Sequence, residues 1–566
     1  MALGMKKGLT SYGDAEFSLF LRKAFIKAMG FSDDALARPI IGITDTASDF
    51  NPCHGNVPAL ITAVKRGVML EGGLPMAFPT ISIHESFAHP TSMFLRNLMA
   101  LDTEEMLRAQ PIDAAVLIGG CDKTIPAQLM AAASVDLPAV VLPVGPMLVG
   151  HHRGEVLGAC TDCRRLWGRF RAGEMDAAEI EAVNSRLAPT FGTCMVMGTA
   201  STIACMTEAL GMALPGSATI PATHADRLRA AEEAGRAAVR LAQNGPRPSE
   251  VMTEAAFRNA LTVLQAIGGS TNALIHATAI AGRLGLPVDL EAFDRIGREV
   301  PVLIDLKPSG QHYMEHFHWA GGVPALLREL APFLELETQT VTGAPLRAAL
   351  DAAEIVPGQA VIRPRANPIS VGGGLAVLRG NLAPRGALLK RSAATPSLLS
   401  HEGRAVVFTS LADMEARLDD PALDVTPDDV LVLQNAGPVG APGMPEAGYI
   451  PIPRKLARAG VKDMLRLSDA RMSGTAFGTI VLHITPEAAI GGPLGLVRTG
   501  DRIRLDAEAR RIDLLVDDAE LRSRQAAWTS PTPAPARGYA WLYHHHVLQA
   551  DEGCDFDFCR EEGKKR

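Results

Sequence analysis

Cysteine and aromatic residues are scarce in this 566-residue sequence, with eight of the former and 5% of positions for the latter. So few cysteines over such a length exclude a disulfide-stapled scaffold, and the default for each is a buried small hydrophobe. Positive charge is not in excess either. Lys and Arg number 55 against 62 Asp and Glu, a net charge of -7, so no nucleic-acid partner and no anionic membrane is expected. Long apolar runs are also missing. The stretch 124–151 is broken by Asp136 and four prolines, and 259–282 by Gly-Gly-Ser-Thr-Asn and His276. Neither offers the roughly 20 apolar residues of a membrane span. The opening MALGMKKGL holds no apolar stretch long enough for a signal peptide, and a cytoplasmic location is expected.

Glycine (53) and proline (39) are plentiful, and 47% apolar with 21% charged residues is the balance of a globular chain without long disorder. At about 150 residues per domain, two to four domains are expected. Residues 16–29 have helical apolar spacing, whereas 39–45 (PIIGITD), 113–118 (DAAVLI) and 137–142 (LPAVVL) read as buried strands. Gly119-Gly120-Cys121-Asp122-Lys123 closes the second of these. A helix should follow from Thr124, with Pro126 in its first turn. This βαβ pattern predicts an α/β domain with a mostly parallel sheet, whose ligands gather where strands end. Further helices are expected over Ala225–Asn244 and after Gly268-Gly269-Ser270-Thr271-Asn272, with Thr223-His224-Ala-Asp-Arg227 capping the former. Beyond 367–386 the texture changes to short runs such as RAVVF, DVLVL, GTIVLHI, DRIRL and RIDLLV between turn residues. They predict a compact β-rich domain, with the boundary near residue 375. The tail, 561–566, reads as a solvated charge run.

Cys53, Cys121 and Cys194 lie in polar, glycine-rich turns about 70 residues apart. Spacing alone leaves three buried thiols as the default over a metal site. Asp122 and Lys123 beside Cys121, and Glu85 at another strand-like end, weaken that default. Thiolates beside carboxylates suggest one sulfur-bound and one oxygen-bound metal. Cys160 and Cys163 form a C-x-x-C with no second pair nearby and are expected to be plain thiols. Cys205 is expected in the core, His544 to His546 as structural histidines, and His54 and His84 as shaping a pocket.

Several long segments resemble the family of dihydroxy-acid and 6-phosphogluconate dehydratases. They are GGCDKTIPAQLMAAASVDLPAVVLPVGPM, GTCMVMGTASTIACMTEALGMALPGSATIPATHADR, GGSTNALIHATAIAGR, DLKPSG (305–310), GAPGMPE (440–446) and LSDARMSGTAFG (467–478). The resemblance implies an N-terminal α/β domain (1–375) and a C-terminal β-barrel-like domain (376–566), with the site between them. It implies a hydro-lyase that converts a vicinal diol acid to a 2-keto-3-deoxy acid. Cys53, Cys121 and Cys194 match the ligands of an iron–sulfur cluster, and the presence of Cys53 favours [2Fe–2S] over [4Fe–4S]. Glu85, Asp122 and Glu446 match Mg²⁺ ligands. Lys123 matches a lysine carbamylated in some members, the alternative being an unmodified lysine paired with Asp122 or substrate. Ser473 matches the base for the C2 proton, and Thr475 would position substrate or Ser473. A homodimer or homotetramer is implied.

Ala470 and Thr475 stand where the branched-chain amino-acid branch more often has glycine. The segment is more like the aldonic-acid branch acting on L-arabinonate or D-xylonate. Extra hydroxyl side chains suit a hydroxylated small-molecule substrate, and no added phosphate clamp is visible. Dehydration of a non-phosphorylated aldonate is therefore expected, with 2,3-dihydroxyisovalerate as the alternative substrate. An iron–sulfur sensor or carrier would need neither a base nor Mg²⁺ ligands. A zinc-bound scaffold would show zinc without labile sulfide.

Overall fold

The computed structural model describes residues 3–9, 11–531 and 533–561, so all of the charged tail except Glu561 lies outside the described residues. Three buried runs become β1 (Ile40–Asp45), β3 (Ala114–Gly119) and β4 (Ala139–Pro143). With β2 (Leu74–Pro79) they form a parallel sheet of order β2-β1-β3-β4. Every residue of β3 is buried, as a strand flanked on both sides and covered by helices must be. LPMAFP carries two prolines and is not among the expected strands. As the edge strand β2 needs its N–H groups on one side only, which is where proline is tolerated.

The expected helices form at Ala15–Lys27, Thr124–Val135, Ala225–Asn244 and Asn272–Gly282. His224 caps the third, its Nδ1 accepting from the Asp226 N–H at 3.3 Å, and buried Arg227 donates to the Pro143 carbonyl at 2.7 Å. Helix Val57–Leu70 packs so closely on Ala225–Asn244 that a Cβ on Gly67 would fall 1.9 Å from the Glu232 carbonyl oxygen. A two-stranded ribbon, β5 (Gly150–His152) with β6 (Glu155–Leu157), precedes helix Thr161–Ala172. Cys205 is buried within helix Thr199–Ala209. His544 to His546 end helix Gly538–His546 and are partly buried or exposed.

The C-terminal part closes into an eight-stranded barrel. Its strands are β7 (Ala376–Gly380), β8 (Ala383–Leu389), β9 (Ser400–Phe408), β10 (Val430–Leu433), β11 (Arg466–Ser468), β12 (Ile480–Thr485), β13 (Arg502–Asp506) and β14 (Arg511–Leu514), in the order β10-β11-β12-β8-β7-β14-β13-β9. Inward residues such as Leu378, Leu389, Val407, Val432, Val481 and Ile503 fill it, as expected for a barrel this small. The five β-branched runs supply β9, β10, β12, β13 and β14. β7, β8 and β11 carry too little alternation, or too much glycine and proline, to be read. No described helix is long and apolar enough to cross a membrane.

Lys390, just past β8, is fully buried and donates to the Gly474 carbonyl at 3.0 Å. Burial lowers its pKa from 10.5 to about 7. Between those values the unfolded chain holds the extra proton, so stability rises with pH across the window. The shift corresponds to a cost of about 5 kcal/mol at its lower end. Lys390→Met is therefore expected to gain on the wild type as pH falls from 10 to 7, read from denaturant midpoints. A pH-independent difference would refute this assignment.

Candidate active site

The ends of three parallel strands deliver most of the candidate residues. Cys53 lies in the turn Pro52–His54 after β1, Glu85 in Glu85–Phe87 after β2, and Cys121, Asp122 and Lys123 between β3 and helix Thr124–Val135. Gly120 is required here, because a Cβ would meet Val144 Cγ2 at 2.0 Å. His54 shapes this loop: its Nε2 accepts from the Gly120 and Cys121 N–H groups at 3.1 and 3.0 Å. The ring proton then sits on Nδ1, which donates to the Thr46 carbonyl at 2.8 Å. Burial keeps the ring neutral, lowering its pKa to about 4. Cys194 arrives on a loop tied to the end of β4, the Thr193 N–H donating to Gly145 at 2.9 Å.

Donor atoms of Cys53, His84 and Cys121 lie within 4.8 Å of one another. Cys194 is outside that triad, with its sulfur 3.6 Å from that of Cys160. Its bond to Cys160 and burial raise the Cys194 thiol. The bond to Cys121, burial, and the charges of Cys121 and Cys194 raise that of Cys53. Clustered thiolates repel one another, so this set ionises together only around positive charge, which suits a soft metal centre. Cys160 is expected from the sequence to be a plain thiol, yet it lies against Cys194. Its neighbour comes from 34 residues away, which no local spacing reveals.

Oxygens of Glu85, Asp122 and Glu446 also lie within 4.8 Å of one another. Glu446 comes from the barrel, in the loop between β10 and β11. Lys123, fully buried, donates to Asp122 and, at 2.9 Å, to Glu85. Arg471 spans the seam, reaching Glu446 at 2.8 Å, Glu85 at 2.9 and 3.0 Å, and the Thr91 hydroxyl at 2.7 Å. Burial pushes Glu85 up, but Arg471 and Lys123 outweigh it and hold the carboxyl well below the usual range. Burial and the nearby carboxylates Glu85 and Asp122 raise Glu446. Three carboxylates that need two cations suit a hard divalent metal.

Ser473 lies in the loop after β11. Its Oγ is 2.9 Å from Thr475 Oγ1 and accepts from the Thr475 N–H at 3.4 Å. Four outside groups hold the loop: Asn272 on the Met472 carbonyl (2.9 Å), Lys390 on Gly474, Thr161 on the Thr475 carbonyl (2.9 Å) and Arg164 on the Thr475 hydroxyl (2.8 Å). A Cβ on Gly198 would sit 2.8 Å from Thr475 Cγ2 and 3.9 Å from Cys194 Cβ, so the sulfur side and the serine loop adjoin. Beside them opens a cleft of about 1010 Å³, lined by Cys160, Cys163, Arg164, Tyr449 and Phe477 among others. Arg164 and Arg471 were given no role from the sequence; Arg471 lies within a quoted motif, but nothing local shows what it bridges.

Residues 38–349 match the description "Dihydroxy-acid/6-phosphogluconate dehydratase N-terminal", and residues 360–554 its C-terminal counterpart. The chain is 48% identical over 560 residues to the L-arabonate dehydratase of Azospirillum brasilense, covering 97% of this chain and 95% of that one. It is 46% identical over 553 residues to the L-arabinonate dehydratase of Rhizobium leguminosarum bv. trifolii, with 97% and 95% coverage. It is also 46% identical over 529 residues to the 6-deoxy-6-sulfo-D-gluconate dehydratase of Pseudomonas putida, with 93% and 91% coverage. The dihydroxy-acid dehydratase of Moorella thermoacetica stands further off, at 39%.

Removing Arg471 leaves Glu85 and Glu446 partly buried without their shared cation. Arg471→Met in the metal-free protein is expected to lower unfolding free energy by about 3 kcal/mol, the low end for a broken buried pair because both carboxylates keep some exposure. Arg471→Lys should recover part of the loss. Unchanged denaturation midpoints for both variants would contradict the bridging role.

Proposed function

The chain belongs to the dihydroxy-acid/6-phosphogluconate dehydratase family, and from that premise we propose that it dehydrates a non-phosphorylated aldonate such as L-arabinonate or D-xylonate to the 2-keto-3-deoxy acid. The observation that carries the proposal is the hydroxyl pair Ser473–Thr475, tied to Arg164 and set beside buried carboxylates and thiols. A polar pair there suits a hydroxylated substrate, whose hydroxyl groups can add to the hydrogen bonds the pair already makes. Similarity to relatives named for L-arabonate and L-arabinonate supports the same choice over 2,3-dihydroxyisovalerate.

Cys53, Cys121 and Cys194 would hold an iron–sulfur cluster, [2Fe–2S] with [4Fe–4S] as the alternative, and Glu85, Asp122 and Glu446 would hold Mg²⁺. Lys123, as a carbamate, would add a further anionic oxygen; as an ammonium it already stands between Glu85 and Asp122 where positive charge is needed. When bound, these groups supply a Lewis-acidic iron for the departing hydroxyl and a divalent charge for the substrate's acid end. Ser473 Oγ, once it has given up its own hydroxyl proton, takes the C2 proton as an alkoxide. The freed electron pair forms the C2–C3 double bond as the C3 hydroxyl leaves as water, taking up the proton that the serine released. The resulting enol tautomerises to the ketone, so no electrons are exchanged with a partner. Thr475, donating to Ser473 Oγ, stabilises charge on that oxygen. We also infer a homodimer or homotetramer, supported by exposed Phe17, Phe20 and Phe25 on helix Ala15–Lys27.

Anaerobically reconstituted protein with Mg²⁺ is tested for keto-acid formation on L-arabinonate, D-xylonate, D-gluconate, 6-deoxy-6-sulfo-D-gluconate, 6-phosphogluconate and 2,3-dihydroxyisovalerate. Turnover confined to uncharged-tail aldonates is expected. Preference for dihydroxyisovalerate would overturn the substrate assignment. Ser473→Ala should lose roughly 10³-fold or more in kcat with iron content unchanged. Replacing Cys53, Cys121 or Cys194 by serine should lower iron and sulfide per chain, while Cys160→Ser retains both. Equal iron loss in Cys160→Ser would refute the three-ligand assignment.

A further inference from the structure

Arg164 touches the Ser473 loop from the opposite domain. We propose that it is a positioning residue that sets the direction of the Thr475–Ser473 hydrogen bond and thereby keeps Ser473 Oγ an acceptor. The inference rests on the base role given to Ser473 above.

A guanidinium can only donate. Arg164 Nη1 lies 2.8 Å from Thr475 Oγ1, so the threonine oxygen accepts there. That occupies one of the two lone pairs of the Thr475 oxygen, and once Ser473 has lost its proton the Thr475 hydroxyl proton is the one that can lie between the two oxygens, 2.9 Å apart. The Thr475 N–H approaches the same serine oxygen at 3.4 Å. Two donors thus converge on the atom that must carry charge before it takes a proton, as donors do in an oxyanion hole. Without Arg164 both lone pairs of the Thr475 oxygen are open to the serine proton; with it, one is occupied by a charged donor, which makes that oxygen a weaker acceptor and its own proton a stronger donor to Ser473.

The arginine is held for this task. The first residue of its helix, Thr161, donates to the Thr475 carbonyl at 2.9 Å. Buried Asp162 accepts from the Gly158 N–H at 2.8 Å and from Lys307 of the DLKPSG segment at 3.0 and 3.1 Å, which anchors the helix start. The guanidinium carbon lies 5.5 Å from the Tyr449 ring centroid. Its nearest carboxylate oxygen, on Glu446, is 3.9 Å away, too far to hydrogen-bond and compete with Thr475.

The test compares reconstituted holoenzymes carrying Arg164→Met, Arg164→Lys, Thr475→Val and Arg164→Met/Thr475→Val, with Ser473→Ala as reference. Iron, sulfide and thermal midpoint are checked for each. The substrate is whichever dihydroxy acid the wild type turns over fastest, protiated or deuterated at C2. Arg164→Met and Thr475→Val should each lower kcat by about 10²-fold, the scale of a lost oxyanion donor, with KM nearly unchanged. The double variant should be no slower than Thr475→Val, because the arginine acts through that hydroxyl. The C2 isotope effect on kcat should rise in Arg164→Met, as proton abstraction becomes slower relative to other steps. Arg164→Lys, which keeps a donor and the charge, should fall between wild type and Arg164→Met. Multiplicative losses in the double variant, or a raised KM with kcat intact, would overturn the proposal and make Arg164 a substrate-binding group. Full turnover by Ser473→Ala would remove the base assignment and this inference together, whereas an inactive Ser473→Ala with multiplicative losses removes only the inference.

Discussion

Three carboxylates within 4.8 Å of one another cannot be buried without positive charge between them. The rest of the architecture follows from meeting that need. Glu85 and Asp122 come from the parallel sheet, Glu446 from the barrel, and Lys123 and Arg471 lie among them. Because Arg471 belongs to the barrel and one of its partners to the sheet, the cluster also pins the two parts together. The Arg171–Asp419 pair, at 2.7 Å, reinforces the same seam. A divalent cation added to such a set exploits charges that the fold has already gathered.

The two halves contribute differently. The sheet offers its strand ends, the usual place for ligands in a parallel α/β layer, and places thiols and carboxylates on short stiff turns. The barrel offers loops after β10 and β11, and one of these carries Ser473. Asp469, in the same motif, does not face the site. Its two oxygens accept from the Ala436 and Ala488 N–H groups, both at 2.9 Å, so it braces the barrel rim beneath the serine loop. The GGSTN segment has a similar supporting part through Asn272, which reaches Met472 and Thr199.

Much of the fold was legible because burial leaves a periodic trace. The fully buried β3 and β4 are unbroken apolar runs, and helix Ala225–Asn244 shows a regular apolar stripe. β2 was hidden by prolines that only an edge strand tolerates, and β11 spans just three residues. At the site, Cys53, Cys121, Cys194, Glu85, Asp122, Lys123, Glu446 and Ser473 stood out through their turns and motifs. Cys160, Arg164 and Arg471 did not announce themselves, since what matters about each is a partner distant in the chain.

The sequence by itself determined the chemistry available: thiols and carboxylates in strand-end turns, a serine in a tight loop, and the family motifs that carry them. These are local properties, written in residue type and short-range spacing. Only the tertiary structure decided which groups meet. Arg471 bridges Glu85 across 386 residues, Arg164 reaches Thr475 across 311, and Cys160 rather than Cys53 is the thiol against Cys194. Such contacts depend on how a sheet edge and a barrel rim are packed together, and that packing is set by the sum of many buried surfaces, which no single motif encodes.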